Sequence, residues 1–287
     1  MCCAYLTTMS LLSYDCTRAC MRWANVAMRK TDLYCYTCVC FIFMRMCGLT
    51  ITAEKLSWDF VRYDLVGHGE SEGSLMDLSV TGTLQDLQQI IRDTQRDESQ
   101  RLFLAGASFG GYISCLAARE MRASERVVGL ASLGGAYYFP KHMSKLAQRD
   151  ASSVILPSNY VDGGEIVLST NLVQDAQDYP CGKTLGAQMD FLPMYMLHGE
   201  GDEVVSEPDA SAFFDAYVQA TLEHSAPRGV YQVVAADQGG DHRVSSPEPL
   251  ARFVAAIGSQ FGKKITPSDI QQQQQHHQPM QQQVSHV

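Results

Sequence analysis

Leu102-Phe103-Leu104-Ala105-Gly106-Ala107-Ser108-Phe109-Gly110-Gly111-Tyr112 is the stretch that decides how this chain folds. The apolar run Leu102 to Ala105 reads as a buried strand, and Tyr112 to Met121 has helical spacing. The pentapeptide Gly106-Ala107-Ser108-Phe109-Gly110 joins them with no room for a loop. A strand that turns at once into a helix holds its corner residue in a strained conformation. Small residues two before and two after let the neighbouring backbones pass closely. Ser108 then projects its hydroxyl above the sheet edge, beside a helix N-terminus whose unpaired N–H groups and dipole stabilise negative charge. The segment therefore reads as a nucleophile elbow suited to acyl transfer, with the Phe109 N–H as an oxyanion donor.

A bare G-x-S-x-G arises easily in a chain with 22 glycines, so the reading depends on a base and an acid following. Met194 to His198 reads as a second buried strand, and Asp202 lies three residues past Gly199, just beyond its carboxyl end. Val230 to Ala236 reads as another strand, followed by the loop Gly239-Gly240-Asp241-His242-Arg243. A serine hydroxyl is a poor nucleophile at neutral pH. His242 is expected to take its proton, and Asp202 to fix the imidazole tautomer and stabilise the imidazolium. Each residue has a plainer reading: Asp202 as a cap for the helix near Pro208, His242 as a surface histidine. Glu200, Glu203 and Asp241 compete for the acid role, and His198 reads as structural.

The chain order Ser108, Asp202, His242 is that of the α/β-hydrolases. The run Phe60-Val61-Arg62-Tyr63-Asp64-Leu65-Val66-Gly67-His68-Gly69-Glu70-Ser71 resembles the strand and GHGxS loop of the serine aminopeptidase S33-like, or hydrolase 4, group. Within that group, Asp241-His242-Arg243-Val244-Ser245-Ser246-Pro247-Glu248 resembles the small acyl-protein thioesterases and acyl-glucuronide esterases. The resemblance spans about residues 58 to 262 and implies an α/β fold: a mostly parallel sheet with helices on both faces and a small lid insertion. It implies a serine esterase or thioesterase that needs no cofactor or metal and acts on a small-molecule or acylated substrate. It also makes His68 part of the floor of the site.

The rest of the chain fits one enzyme domain. With 46% hydrophobic and 18% charged residues it can bury a substantial sheet, and its net charge of −9 argues against nucleic acid as a partner. Strands are expected at Phe60 to Asp64, Arg101 to Ala105, Arg126 to Ser132, Met194 to His198 and Val230 to Ala236. Helices are expected at Gly82 to Thr94, Phe109 to Ala123, Pro208 to Leu222 and Pro249 to Phe261. The hydrolase domain is placed at 49–262, with a lid at about 135–191 where Pro and Gly break the pattern into short amphipathic pieces. Tyr137, Tyr138, Phe139, Met143, Leu156, Tyr160 and Leu172 are the lid residues expected either to line an acyl pocket or to pack the lid down.

Residues 1–48 are atypical, holding eight of the ten cysteines. Cys35-Tyr36-Thr37-Cys38 lacks a second ligand pair for zinc. The apolar stretch Cys38 to Met44 is too short to span a bilayer, so no integral membrane segment is expected. The cytoplasm is the expected compartment. Arg18, Arg22, Arg29 and Lys30 give a mitochondrial transit character as the alternative. In the family, a second oxyanion donor follows an earlier strand. Val39 to Met44 reads as that strand and the Leu49 N–H as that donor, which leaves only about 11 residues before the next strand, barely enough for a crossover helix. The Gln-rich tail, 263–287, is expected to be disordered.

Two other readings stay open. An S33-type aminopeptidase would need a carboxylate for the substrate amine, and Asp175, Asp178 or Glu165 is available. A non-catalytic relative would bind an apolar ligand or a partner protein in the same pocket. Nothing in the sequence fixes the oligomeric state.

Overall fold

Alternating residues along each central strand are apolar on both faces, and that pattern forces a sheet covered on both sides. The computed structural model describes residues 58–68, 71–94, 100–158, 163–222, 229–244 and 246–260, together with the strand backbones of 2–5, 21–24 and 33–39. The main sheet contains β1 (Cys2–Tyr5), β2 (Met21–Ala24), β3 (Leu33–Val39), β4 (Asp59–Asp64), β5 (Arg101–Ala107), β6 (Val127–Leu133), β10 (Met194–Gly199) and β11 (Val230–Val234). Their order is β11-β10-β6-β5-β3-β4-β1-β2, parallel except where β1 runs antiparallel to β4. The three N-terminal strands thus join the same sheet as the rest of the domain.

The helices of the body are α1 (Val80–Thr94), α2 (Phe109–Glu120), α6 (Glu207–Leu222) and α7 (Pro247–Gln260). Each starts and stops within three residues of the sequence expectation. In α1 the buried residues Val80, Leu84, Leu87, Ile91 and Thr94 recur every three to four positions, which makes one apolar stripe. In β5, Leu102 and Leu104 enter the core on the α1 and α2 side, whereas Phe103, Ala105 and Ala107 enter the core that receives Leu250, Phe253, Val254 and Ile257 of α7. Phe103 also touches Trp58 and Tyr195, with ring centroids 5.4 and 6.4 Å away. Phe253 is fully buried, so its truncation to Ala costs about 3–5 kcal/mol.

One strand departs from the sequence expectation. The strand between β4 and β5 is Leu33–Val39, where the sequence suggested Val39 to Met44; residues 40–44 lie outside the described residues. Hydropathy favours the later stretch, but chain geometry favours the earlier one. Parallel strands need a crossover of a dozen residues or more, and β3 leaves residues 40–58 for it. The shortage of chain inferred from the sequence therefore disappears.

The insertion between β6 and β10 contains α3 (Phe139–Met143), β7 (Ala147–Gln148), β8 (Ser153–Pro157), β9 (Glu165–Ser169), α4 (Thr170–Ala176) and α5 (Gly182–Ala187). Strands β7, β8 and β9 form a separate antiparallel sheet that the sequence reading did not anticipate. Asp175, at the end of α4, ties this lid to the body. Its carboxylate accepts the Thr81 N–H at 2.9 Å and the Thr81 hydroxyl at 2.5 Å, which caps the first turn of α1.

Candidate active site

The sheet changes direction at β3 and β5: β4 lies on one side of β3, and the chain then crosses to β5 on the other. Open α/β sheets bind ligands at the carboxyl ends of the strands beside such a switch. Ser108 follows β5 at that point. Its φ of 52° and ψ of −121° lie in a region that costs an ordinary residue about 1–3 kcal/mol. The surroundings over-determine this conformation. The Ser108 N–H donates to the Leu133 carbonyl at 2.9 Å, and the Ser108 carbonyl accepts from Gly111 and Ala136, both at 3.0 Å. A Cβ on Gly106 would run into the Gly110 carbonyl, so this strand and helix can meet only with glycine there. The Phe109 N–H is the first of α2, among those that the helix itself leaves unpaired.

The acid loop runs from Gly199 to Val205. Asp202 Oδ1 accepts the Val204 and Val205 N–H groups at 2.9 and 2.8 Å, which closes a tight turn. Oδ2 faces His242 Nδ1 at 2.7 Å. The Asp202 side chain is fully buried and that of His242 is 7% exposed, so the pair interacts with little solvent between. The two loops are also joined by the Gly201 N–H, which donates to the Gly240 carbonyl at 2.8 Å. Gly134, with φ 55°, lies against both partners; a Cβ there would press on Asp202 Oδ2 and His242 Nδ1 at 3.4 Å.

The competing carboxylates are engaged elsewhere or exposed. Glu200 accepts the Ala236 N–H at 3.1 Å, Asp241 accepts the Arg243 N–H at 3.0 Å, and Glu203 points to solvent. His198, buried at the end of β10, places Nε2 2.9 Å from the Val205 carbonyl and 3.3 Å from Asp202 Oδ2.

Ser108 and His242 line one cavity of about 330 Å³ under the lid. His68 lines it too; burial holds its pKa below the usual imidazole range, and its Nδ1 lies 3.0 Å from the Val66 carbonyl. Of the lid residues singled out in the sequence, Tyr138, Phe139, Met143, Leu156 and Leu172 line the cavity. Tyr137 does not: it is buried and stacks on Phe213 of α6, with centroids 3.7 Å apart and planes 7° from parallel. Tyr160 and Leu49 lie outside the described residues. The chain that leaves β3 after Val39 nevertheless begins beside the elbow, because Cys38 pairs with Gly106. Leu75, Leu78, Lys145 and Arg243 also line the cavity, and only Arg243 had a sequence signal, through its place after His242.

Comparison with known families follows this geometry. The model of the serine aminopeptidase S33 family matches residues 49–178. The mouse mitochondrial palmitoyl-protein thioesterase ABHD10 is 23% identical over 226 residues, which cover 74% of this chain and 68% of that one. The chain has the α/β-hydrolase fold and resembles the S33-like group over residues 49–178. Its fold is shared with the solved structure of mouse alpha/beta hydrolase domain-containing protein 10 at a TM-score of 0.64 and 19% identity, covering 88% of this chain and 98% of that one. A hydrolase of Agrobacterium vitis S4 gives 0.65 at 20% identity over 82% and 91% of the two chains. Est1E of Butyrivibrio proteoclasticus, solved with ferulic acid, gives 0.61 at 18% over 82% and 91%. The chain's relatives include a palmitoyl-protein thioesterase and the esterase domain of a Rhodothermus marinus protein. Among its described residues, no helix is long and apolar enough to cross a membrane.

Proposed function

We propose that this hydrolase cleaves a carboxylic ester or thioester through an acyl-Ser108 intermediate. One observation carries the reading: His242, in a buried 2.7 Å contact with Asp202, lines the same cavity as a serine held at φ 52° on a strand–helix elbow. Ser108 Oγ attacks the substrate carbonyl carbon while His242 Nε2 takes its proton. The electron pair displaced onto the carbonyl oxygen is held by the Phe109 N–H and the α2 dipole. Collapse of this intermediate expels the alcohol or thiol, which receives the proton from His242. Water then attacks the acyl-serine by the same route and releases the acid. The apolar wall of the cavity carries the acyl group. The mouse relative's thioesterase activity is the reason to include thioesters, and its mitochondrial address extends to this chain in preference to the cytoplasm.

The aminopeptidase reading loses the three carboxylates expected to receive the amine, although Asp209, paired with His142 Nε2 at 2.9 Å, lines the cavity. Asp175 is committed to capping α1, and neither Asp178 nor Glu165 lines the cavity. Labelling with a fluorophosphonate and hydrolysis of p-nitrophenyl esters and acyl thioesters, in the parent and in Ser108→Ala, test the proposal. Labelling and turnover in the parent alone are expected. A folded parent that neither labels nor hydrolyses, yet binds acyl ligands, would make the chain a non-catalytic binding protein.

A further inference from the structure

His198 lies outside the catalytic steps just described, yet its ring touches the loop that supplies the acid. We propose that His198 is a positioning residue, a neutral Nε2–H imidazole that locks the Gly199–Val205 loop and holds Asp202 Oδ2 on His242. The proposal rests on the serine-hydrolase reading above and adds to it a fourth side chain.

The tautomer follows from the hydrogen-bond inventory. Nε2 faces two oxygens, the Val205 carbonyl at 2.9 Å and Asp202 Oδ2 at 3.3 Å, so it must carry a proton. Nδ1 is buried and has no hydrogen-bond partner among the described residues. A proton there would be an orphaned donor, costing about 1–3 kcal/mol. The ring is therefore neutral and of one tautomer. Burial also holds its pKa below the usual imidazole range, with the His242 ring adding in that direction and the Val205 carbonyl, Asp202 and Glu207 opposing it.

The mechanical role follows from Val205. Its N–H donates to Asp202 Oδ1 at 2.8 Å, and its carbonyl accepts from His198 at 2.9 Å. The loop is thus clamped at one residue from both sides, by the acid it carries and by the strand it leaves. The His198 N–H also lies beside Oδ2, the oxygen that His242 uses, and supports its charge from the face that His242 leaves open. A carboxylate held at Oδ1 alone could pivot; this ring removes the pivot.

His198→Gln and His198→Asn separate positioning from packing. Both put an amide in the same buried space, but only glutamine extends far enough to offer an N–H near the Nε2 position. Turnover is read per Ser108 titrated by a p-nitrophenyl ester burst, so loss of folded protein does not count. Relative to the parent, His198→Gln is expected to keep kcat within about three-fold and His198→Asn to lose about 10- to 100-fold with KM unchanged, the scale of a small misplacement. The low-field proton NMR signal of the His242 Nδ1–H should persist in the first and move upfield in the second. Equal kcat in the two variants overturns the inference. If Ser108→Ala turns over like the parent, the hydrolase reading itself fails and takes the inference with it.

Discussion

Asp202→Asn is the substitution for which the structure dictates the outcome most closely. An asparagine side chain has one oxygen and one NH₂, and the site decides which goes where. Two backbone donors, Val204 N–H and Val205 N–H, point at Oδ1 from 2.9 and 2.8 Å, so the amide oxygen must take that place. The NH₂ then occupies the Oδ2 position, 2.7 Å from His242 Nδ1 and 3.3 Å from His198 Nε2. A donor now faces His242, which can remain only by moving its proton to Nε2. That nitrogen then cannot accept the Ser108 proton. Loss through the wrong tautomer is expected to lower kcat about 10⁴-fold, or about 5.4 kcal/mol of barrier, with little change in KM. The clash of the NH₂ with the His198 N–H adds a stability cost of about 1–3 kcal/mol. Burst-titrated p-nitrophenyl ester kinetics measure the first, thermal unfolding the second, and nitrogen NMR of His242 the tautomer itself. A variant within about ten-fold of the parent, or one with the proton still on Nδ1, would refute the assignment of Asp202 as the orienting acid.

Asp175→Ala removes the α1 cap and its tether to the lid, so stability should fall by about 1–2 kcal/mol in thermal or urea unfolding, while ester kcat stays near the parent value. An aminopeptidase would instead lose activity on aminoacyl anilides. His68 and His198 are both buried with lowered pKa, so the unfolded chain binds more protons than the folded one below the ordinary imidazole value. Stability should therefore be level at higher pH and fall as pH drops below about 6.5, and His198→Gln should make that fall shallower in a melting series. Leu156→Trp projects a larger side chain into the roughly 330 Å³ cavity and should raise KM for decanoyl esters while sparing acetyl esters, read on a chain-length series.

Where a residue's placement depends on its immediate neighbours, the sequence was enough. Gly106, Ser108 and Phe109 lie in one turn, and the offset from Gly199 to Asp202 spans one loop, so strand, corner and side chain were legible together. Position 33–39 was not, because hydropathy ranks Val39 to Met44 higher and only the length of a crossover argues for the earlier strand. The sheet of β7, β8 and β9 was hidden for a related reason. Short runs such as Val154-Ile155-Leu156 suit a strand or a buried helix turn equally, and the pairing that decides lies some ten residues away along the chain. Asp175 was misplaced as a possible amine receptor because its partner, Thr81, is 94 residues distant. Tyr137 and Tyr138 are neighbours with opposite fates, one stacked in the core and the other on the cavity wall; composition does not separate them.

The lid leaves the sheet after β6 and returns as β10, and these two strands are direct neighbours in register, Leu130 beside Met194 and Leu133 beside Leu197. Because the two strands are parallel, the lid leaves at the carboxyl end of β6, on the edge that carries Ser108, and returns at the amino end of β10, on the opposite edge of the sheet. Each crossing is pinned to the neighbouring strand, the Gly134 N–H donating to the Leu197 carbonyl at 2.8 Å at the exit and the Leu130 N–H to the Pro193 carbonyl at 3.0 Å at the return. The first residues of the insertion belong to the site, since the Ala136 N–H holds the Ser108 carbonyl at 3.0 Å, whereas the lid residues beyond it make none of the hydrogen bonds described for Ser108, Asp202 and His242. Under the proposed function, the lid residues that line the cavity would set acyl preference from a part of the chain largely separate from Ser108, Asp202 and His242.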